Sequence, residues 1–178
     1  RPSTLNPFCA ARVVSTEEGK KDKTCWISRV ITWLLLKVLM IGNSRIGKRR
    51  ALPALRAVPQ VEAIALASRT SKPEDVDPDI EFYTDYAAAI ATARADLAYI
   101  SLANNDHAQW AERCLEAGLH VVVDKPACLS VADAERLAAL AAGQGKCLAE
   151  ATVFAFRPQI DALHRLFKDA SQLPSRAI

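Results

Sequence analysis

The sequence predicts an α/β domain built on a doubly wound parallel sheet. Two observations predict it. From residue 37 onward, short apolar runs alternate with runs of helical period, giving six strand candidates and a helix after almost every one. The strand runs are close to continuously apolar, which requires cover on both faces, as in a parallel sheet with helices on each side.

The elements follow in order. "KVLMIG" (37–42) is the first strand and "SRIGKRRALPALRAV" (44–58) the first helix, with Ala51, Leu52, Leu55 and Val58 as its apolar stripe. Pro53 inside that helix is expected to kink it or leave a carbonyl free. "VEAIALAS" (61–68) is the second strand, a loop rich in Pro, Asp and Ser fills 71–79, "EFYT" (81–84) is a short third strand and "DYAAAIATA" (85–93) a helix. "DLAYISLA" (96–103) is the fourth strand. "DHAQWAERCLEAG" (106–118) is a helix with Trp110, Ala111, Cys114 and Leu115 on one face and Gly118 as its stop signal. "HVVVD" (120–124) is the fifth strand, "SVADAERLAALAAGQG" (130–145) a helix with Ser130 as N-cap, "KCLAEAT" (146–152) the sixth strand and "PQIDALHRLFKDA" (158–170) the last helix. Right-handed crossovers between such strands produce a nucleotide-binding sheet of the Rossmann type.

Composition agrees with a packed domain. Of 178 residues, 51% are hydrophobic and 24% charged, which excludes a disordered chain. Residues 1–50 hold eleven Lys+Arg against three Asp+Glu, and the remainder twelve against seventeen, so a basic front end precedes an acidic body. Cys9, Cys25, Cys114, Cys128 and Cys147 are odd in number and scattered, without a CxxC pair or a Cys/His cluster. No metal site and no disulfide framework is expected, and the pattern fits a reducing, cytoplasmic setting. Cys114 and Cys147 read as core residues.

Residues 1–36 read as a leader, poorly ordered or peripheral to the core. "CWISRVITWLLL" after "KKDK" has the look of a signal or anchor, but Arg29 and Lys37 interrupt the run and no small-residue cleavage site follows. No membrane partner is expected. "KRR" at 48–50 lacks interleaved aromatics and reads as a solvated helix face, so no nucleic-acid partner is expected either.

The first strand-to-helix turn, "GNSRIG", is where such a sheet binds a dinucleotide. Gly42 makes the tight turn and Gly47 lets the helix pack on the strand, but Ser44 stands where the G-x-G-x-x-G fingerprint has its middle glycine. Its hydroxyl can itself donate to a phosphate. Gly42, Ser44, Arg45, Ile46 and Gly47 are the expected cofactor contacts of this loop. At the end of the second strand, where an Asp or Glu would bind both ribose hydroxyls of NAD, the chain has Ser68-Arg69-Thr70. A guanidinium and two hydroxyls suit a 2′-phosphate, so NADP is expected, with NAD possible.

"IGNSRIG", "ASRT", "SLANNDHAQWAERCLEAGLHVVVDKPACLS" and "AEATVFAFRPQ", in this order, resemble the nucleotide-binding half of the glucose–fructose oxidoreductase and inositol dehydrogenase family, from about Lys37 to about residue 170. The most specific element is the acid-Lys-Pro motif, here Asp124-Lys125-Pro126, where the family more often has Glu. Asn104 and His107 match the family's Asn and His after the fourth strand, and Glu150 its Glu after the sixth. Arg157-Pro158 stands where His-Pro is usual.

The resemblance implies an NADP-dependent oxidoreductase acting on a sugar, polyol or sugar-nucleotide keto group, with Lys125 as the catalytic residue. Ser101, Asn104, His107, Asp124, Lys125, Glu150 and Arg157 join the loop residues and Ser68-Arg69-Thr70 as expected cofactor contacts. Asn104 either bonds the nicotinamide ribose or caps the following helix. The resemblance also implies a second domain, begun at 171–178, that supplies the sugar-like substrate's other wall and a homo-oligomer contact. A non-catalytic NADP-binding or regulatory module, or an inactive fragment, is the alternative.

Overall fold

The computed structural model describes residues 35–71 and 73–168. The expectations for the leader, apart from its last two residues, and for the start of a second domain at 171–178 lie outside the described residues.

Six strands form one parallel sheet: β1 Leu36–Ile41, β2 Val61–Ala67, β3 Glu81–Tyr83, β4 Leu97–Ile100, β5 His120–Val123 and β6 Leu148–Glu150. Their spatial order is β3-β2-β1-β4-β5-β6. The chain therefore builds outward from β1 to β3, then crosses back to lay β4 against the other side of β1. The strand ends part at that switch point, and Gly42 is the first residue after β1 there.

β1 is central, and Val38, Leu39, Met40 and Ile41 are all 2% exposed or less. Its alternation divides the core. Leu39 and Ile41 join Ala65, Ile100, Val121 and Val123 on one face, covered by helices α2 (Tyr86–Thr92), α3 (Asn104–Glu116) and α4 (Val131–Gly143). Met40 turns to the other face, with Ile64, Leu66 and Ile80, against Ala51, Leu52 and Leu55. Of the stripe read for the first helix, Ala51, Leu52 and Leu55 pack against this core and Val58 does not join it, while all four residues read for α3 pack.

Pro53 has a different effect from a kink. The turn before it, Gly47–Ala51, is a π turn that leads into α1, Leu52–Arg56. The Leu52 N–H reaches back five residues to the Gly47 carbonyl. Widening the coil there gives the proline ring room, and Pro53 then falls in the first turn of α1, where a missing N–H costs little.

The helix ends follow their signals. Asp85 accepts the Ala88 N–H and Ser130 the Asp133 N–H, capping α2 and α4. α3 stops at Gly118, at φ +80, where Gly118 donates to Leu115 and Leu119 donates to Cys114. That pairing satisfies the last carbonyls and needs a residue free to adopt positive φ. Cys114 is fully buried and burial pushes its thiol up to about 12. Cys147 is only half-buried, since it precedes β6 at the sheet edge, and its N–H is taken by His120 Nδ1.

The described residues up to Ala151 cluster as one compact unit, and the described residues from Thr152 on belong to another. The described part of that second unit is a 3-10 turn, Val153–Phe156, and α5, Pro158–Lys168.

Gly42 is the tightest point of the sheet edge. It adopts φ +96, and a Cβ there would lie 2.3 Å from the Ser101 carbonyl oxygen and 2.6 Å from a Leu102 methyl. Gly42→Ala is expected to destabilise the domain by about 2–4 kcal/mol, through positive-φ strain and displacement of the β4 exit. The shift of the urea unfolding midpoint measures it.

Candidate functional site

The site is organised by register. Ile41, Ile100 and Val123 are paired across β1, β4 and β5, so the next residues, Gly42, Ser101 and Asp124, stand in one row beyond the strand ends. The ladder continues into that row: Gly42 donates to Ala67, Ser101 to Ile41 and Asp124 to Ile100, each at 2.9 Å. Alternation places Tyr99 and Ser101 on one face of β4, and Val122, the partner of Tyr99, puts Asp124 on the same face of β5.

The Asp124 carboxylate collects the hydroxyls that face it. Tyr99 donates to Oδ1 at 2.6 Å and Ser101 to Oδ2 at 2.5 Å. Ser44 Oγ lies 2.6 Å from Ser101 Oγ and accepts the Gly47 N–H at 2.9 Å. With Ser101 committed to Asp124, Ser44 is the donor to Ser101. One directed chain then runs from the Gly47 amide through two hydroxyls to Asp124. The side chain at the middle-glycine position is thus turned inward, tying the glycine loop to β4 and β5. Burial, followed by the Asp124 hydrogen bond, holds the Tyr99 phenol well above the ordinary tyrosine range.

Lys125 follows immediately. It is exposed, on the same edge as Gly42 and Ser44, and has no hydrogen bond or ion pair among the described residues. Its neighbours are all held. Asp124 is fixed as above. The Pro126 carbonyl, after a cis Lys125–Pro126 bond, lies 2.7 Å from His107 Nδ1. The Ala127 N–H donates to Glu150 Oε2 at 2.9 Å.

His107, expected among the cofactor contacts, is 1% exposed, and its second nitrogen lies 3.1 Å from the Leu102 carbonyl. Both ring nitrogens face carbonyls of the chain's own backbone, and the one that carries the proton donates, so its part in this structure is to fasten the Lys125 loop to the exit of β4. Glu150 likewise reaches the backbone of that loop. Asn104 is the exposed first residue of α3; the N-cap is Ala103, with no side-chain cap bond, so of its two readings capping is not what the structure shows.

At the end of β2, Ser68 is 1% exposed and organises the turn: it accepts from the Ser71 N–H at 3.1 Å and donates to Ser71 Oγ at 3.0 Å. Ser71 Oγ also takes the Asn43 amide at 2.7 Å, which links this turn to the glycine loop. Arg69 and Thr70 are exposed. The Arg69 guanidinium lies over the Tyr86 ring at 4.5 Å and within 5.4 Å of the Trp110 ring. Arg45 and Ile46 are exposed at the loop, and their N–H groups find no acceptor among the described residues. Arg157 belongs to the separate unit, where its N–H donates to Phe154. Asn43, Ser71 and Tyr99 were not singled out in the sequence. Tyr99 carried a signal, a polar-tipped residue two before Ser101 on an apolar strand; Asn43 and Ser71 lie in loops with no period to read.

Comparison with known proteins places this arrangement. The oxidoreductase family with an NAD-binding Rossmann fold (GFO_IDH_MocA) matches residues 36–152. The chain belongs to this family. Among relatives, a dTDP-3,4-didehydro-2,6-dideoxy-alpha-D-glucose 3-reductase of Actinomadura kijaniata is 38% identical over 127 residues, covering 70% of this chain and 38% of the relative. A D-xylose 1-dehydrogenase (NADP(+)) of Haloferax volcanii is 31% identical over 123 residues, covering 67% of this chain and 38% of the relative. The crystal structure of a 3-ketoreductase from Actinomadura kijaniata, in complex with NADP and TDP-benzene, superposes with a TM-score of 0.69 at 35% identity, over 75% of this chain and 42% of that one. The chain therefore spans about 40% of the length of the relatives it matches and carries the family's N-terminal nucleotide-binding domain. No helix among the described residues is long and apolar enough to cross a membrane.

The raised Tyr99 phenol predicts an alkaline dependence. Below about pH 10 both folded and unfolded states keep this proton; above it the unfolded chain releases the proton while the folded one retains it, so stability falls. Tyr99→Phe lacks this contribution. Urea midpoints at about pH 8 and about pH 10.5 are expected to drop more in the parent than in the variant.

Proposed function

We propose that this chain is the cofactor half of an NADP-dependent oxidoreductase acting at a CHOH or C=O carbon of a sugar, polyol or sugar nucleotide. The observation that carries this reading is Lys125: exposed, unpaired among the described residues, and set on the ligand edge of the sheet between residues that are each hydrogen-bonded in place. The ketoreductase solved with NADP and TDP-benzene, and the NADP-named xylose dehydrogenase, support the same chemistry.

The residues present fit a dinucleotide. The free N–H groups of Arg45 and Ile46 head the first helix and suit a pyrophosphate. Ser68 shapes the turn that presents Arg69 and Thr70, and no carboxylate stands there to repel a 2′-phosphate. Asn104, exposed at the start of α3, is the proposed contact for the nicotinamide ribose. A bound nicotinamide supplies or takes up the hydride. Lys125 donates to the substrate oxygen, stabilises negative charge as it develops there, and passes a proton to or from that atom. Asp124 accepts from Tyr99 and Ser101 and makes no ion pair with Lys125 among the described residues, which leaves the ammonium to the substrate.

In the complete enzyme, Lys125→Met is expected to keep NADP binding and lose about 10²–10⁴ in turnover, read by nicotinamide absorbance against a panel of sugars and sugar nucleotides. Parental turnover in the variant sinks the assignment. In the 178-residue chain, Arg69→Ala is expected to weaken NADP by about 1.5–3 kcal/mol and NAD far less. Equal loss for both cofactors in a titration overturns the NADP reading.

A further inference from the structure

Among the described residues, Arg69 is held by aromatic rings and not by an ion pair. Arg56 is fixed by Asp77 and Asp79, Arg136 by Asp133 and Glu112, and Lys37 by Glu81. Arg69 has no acidic partner among the described residues, and is fixed instead by rings: Tyr86 of α2 under its guanidinium carbon at 4.5 Å and Trp110 of α3 at 5.4 Å. The two rings meet edge to face, 5.1 Å apart and at 85°, and are 8% and 5% exposed, so both are anchored in the core.

The physical consequence differs from that of an ion pair. A carboxylate would hold Arg69 but cancel its charge and repel an incoming phosphate. An aromatic face attracts the guanidinium without cancelling its charge and without taking up its N–H donors as a carboxylate would. The ring contacts reduce the rotamer freedom that a solvated arginine would otherwise lose on binding.

We propose that Tyr86 and Trp110 are specificity-determining positioning residues: by stacking Arg69 without neutralising it, they set the chain's preference for a 2′-phosphorylated nucleotide over its unphosphorylated form. This deepens, and rests on, the reading of Arg69 as the 2′-phosphate ligand.

The test is calorimetric titration of the 178-residue chain with NADP and NAD, and with 2′,5′-ADP and 5′-AMP as minimal probes. Tyr86→Leu and Arg69→Lys are each expected to lower the NADP-to-NAD affinity ratio by about 5- to 20-fold, chiefly through NADP, while Tyr86→Phe restores it. Arg69→Lys keeps the charge at an exposed position and removes no buried side chain, so a parental ratio in that variant overturns the ring proposal even where Tyr86→Leu fails to fold. Arg113→Ala also removes a guanidinium from Trp110, at 4.8 Å, and is expected to leave the ratio unchanged. A parental ratio in both Tyr86→Leu and Arg69→Lys, with Arg69→Ala abolishing it, overturns the stacking proposal and keeps Arg69 as the phosphate ligand. A parental ratio in Arg69→Ala overturns the underlying reading.

Discussion

The alignment of three strand ends is the constraint on which the site depends. Because Ile41, Ile100 and Val123 are in register, Gly42, Ser101 and Asp124 arrive in a row, close enough for one carboxylate to take two hydroxyls from β4. A half-buried carboxylate without such partners would lose hydration and gain nothing in return. Gly42 matters for the same reason: a side chain there would push against the Ser101 carbonyl and open the row.

The polar chain from Gly47 to Asp124 joins two parts of the molecule that the sequence keeps apart. The glycine loop follows β1 and the lysine follows β5, yet Ser44 and Ser101 connect them through two short contacts. His107 and Glu150 add the other two fastenings of the Lys125 loop, one from α3 and one from β6. Side chains from three elements therefore fix the backbone on each side of a lysine whose own side chain is left unpaired among the described residues.

Among the described residues, some cations of the chain are paired with acids and others are not. Lys37, Arg56 and Arg136 are engaged by carboxylates on the exposed surface, where such pairs add little stability because water screens them. Lys125 and Arg69, on the ligand edge, have no acidic partner among the described residues. Asp124 beside Lys125 accepts from two hydroxyls, and aromatic rings lie against Arg69. Positive charge is thus positioned without being cancelled, which is what an anionic ligand or a developing alkoxide requires.

The sequence by itself determined the sheet, its six strands and the helices between them, because alternation of apolar runs and helical period is a local property that packing must obey. It also determined the caps at Ser130 and Gly118 and the place of Lys125 after β5, which follows from strand order alone. Tertiary structure decided what local pattern does not encode. The π turn before Pro53 is the way this coil accommodates a proline within its packing. The inward turn of Ser44, the backbone bonds of His107 and Glu150, and the rings beneath Arg69 each join residues far apart in the chain. Spacing shows that a serine, a histidine or an arginine stands at a strand end. Which acceptor it meets depends on strands and helices that come together only when the sheet closes its register.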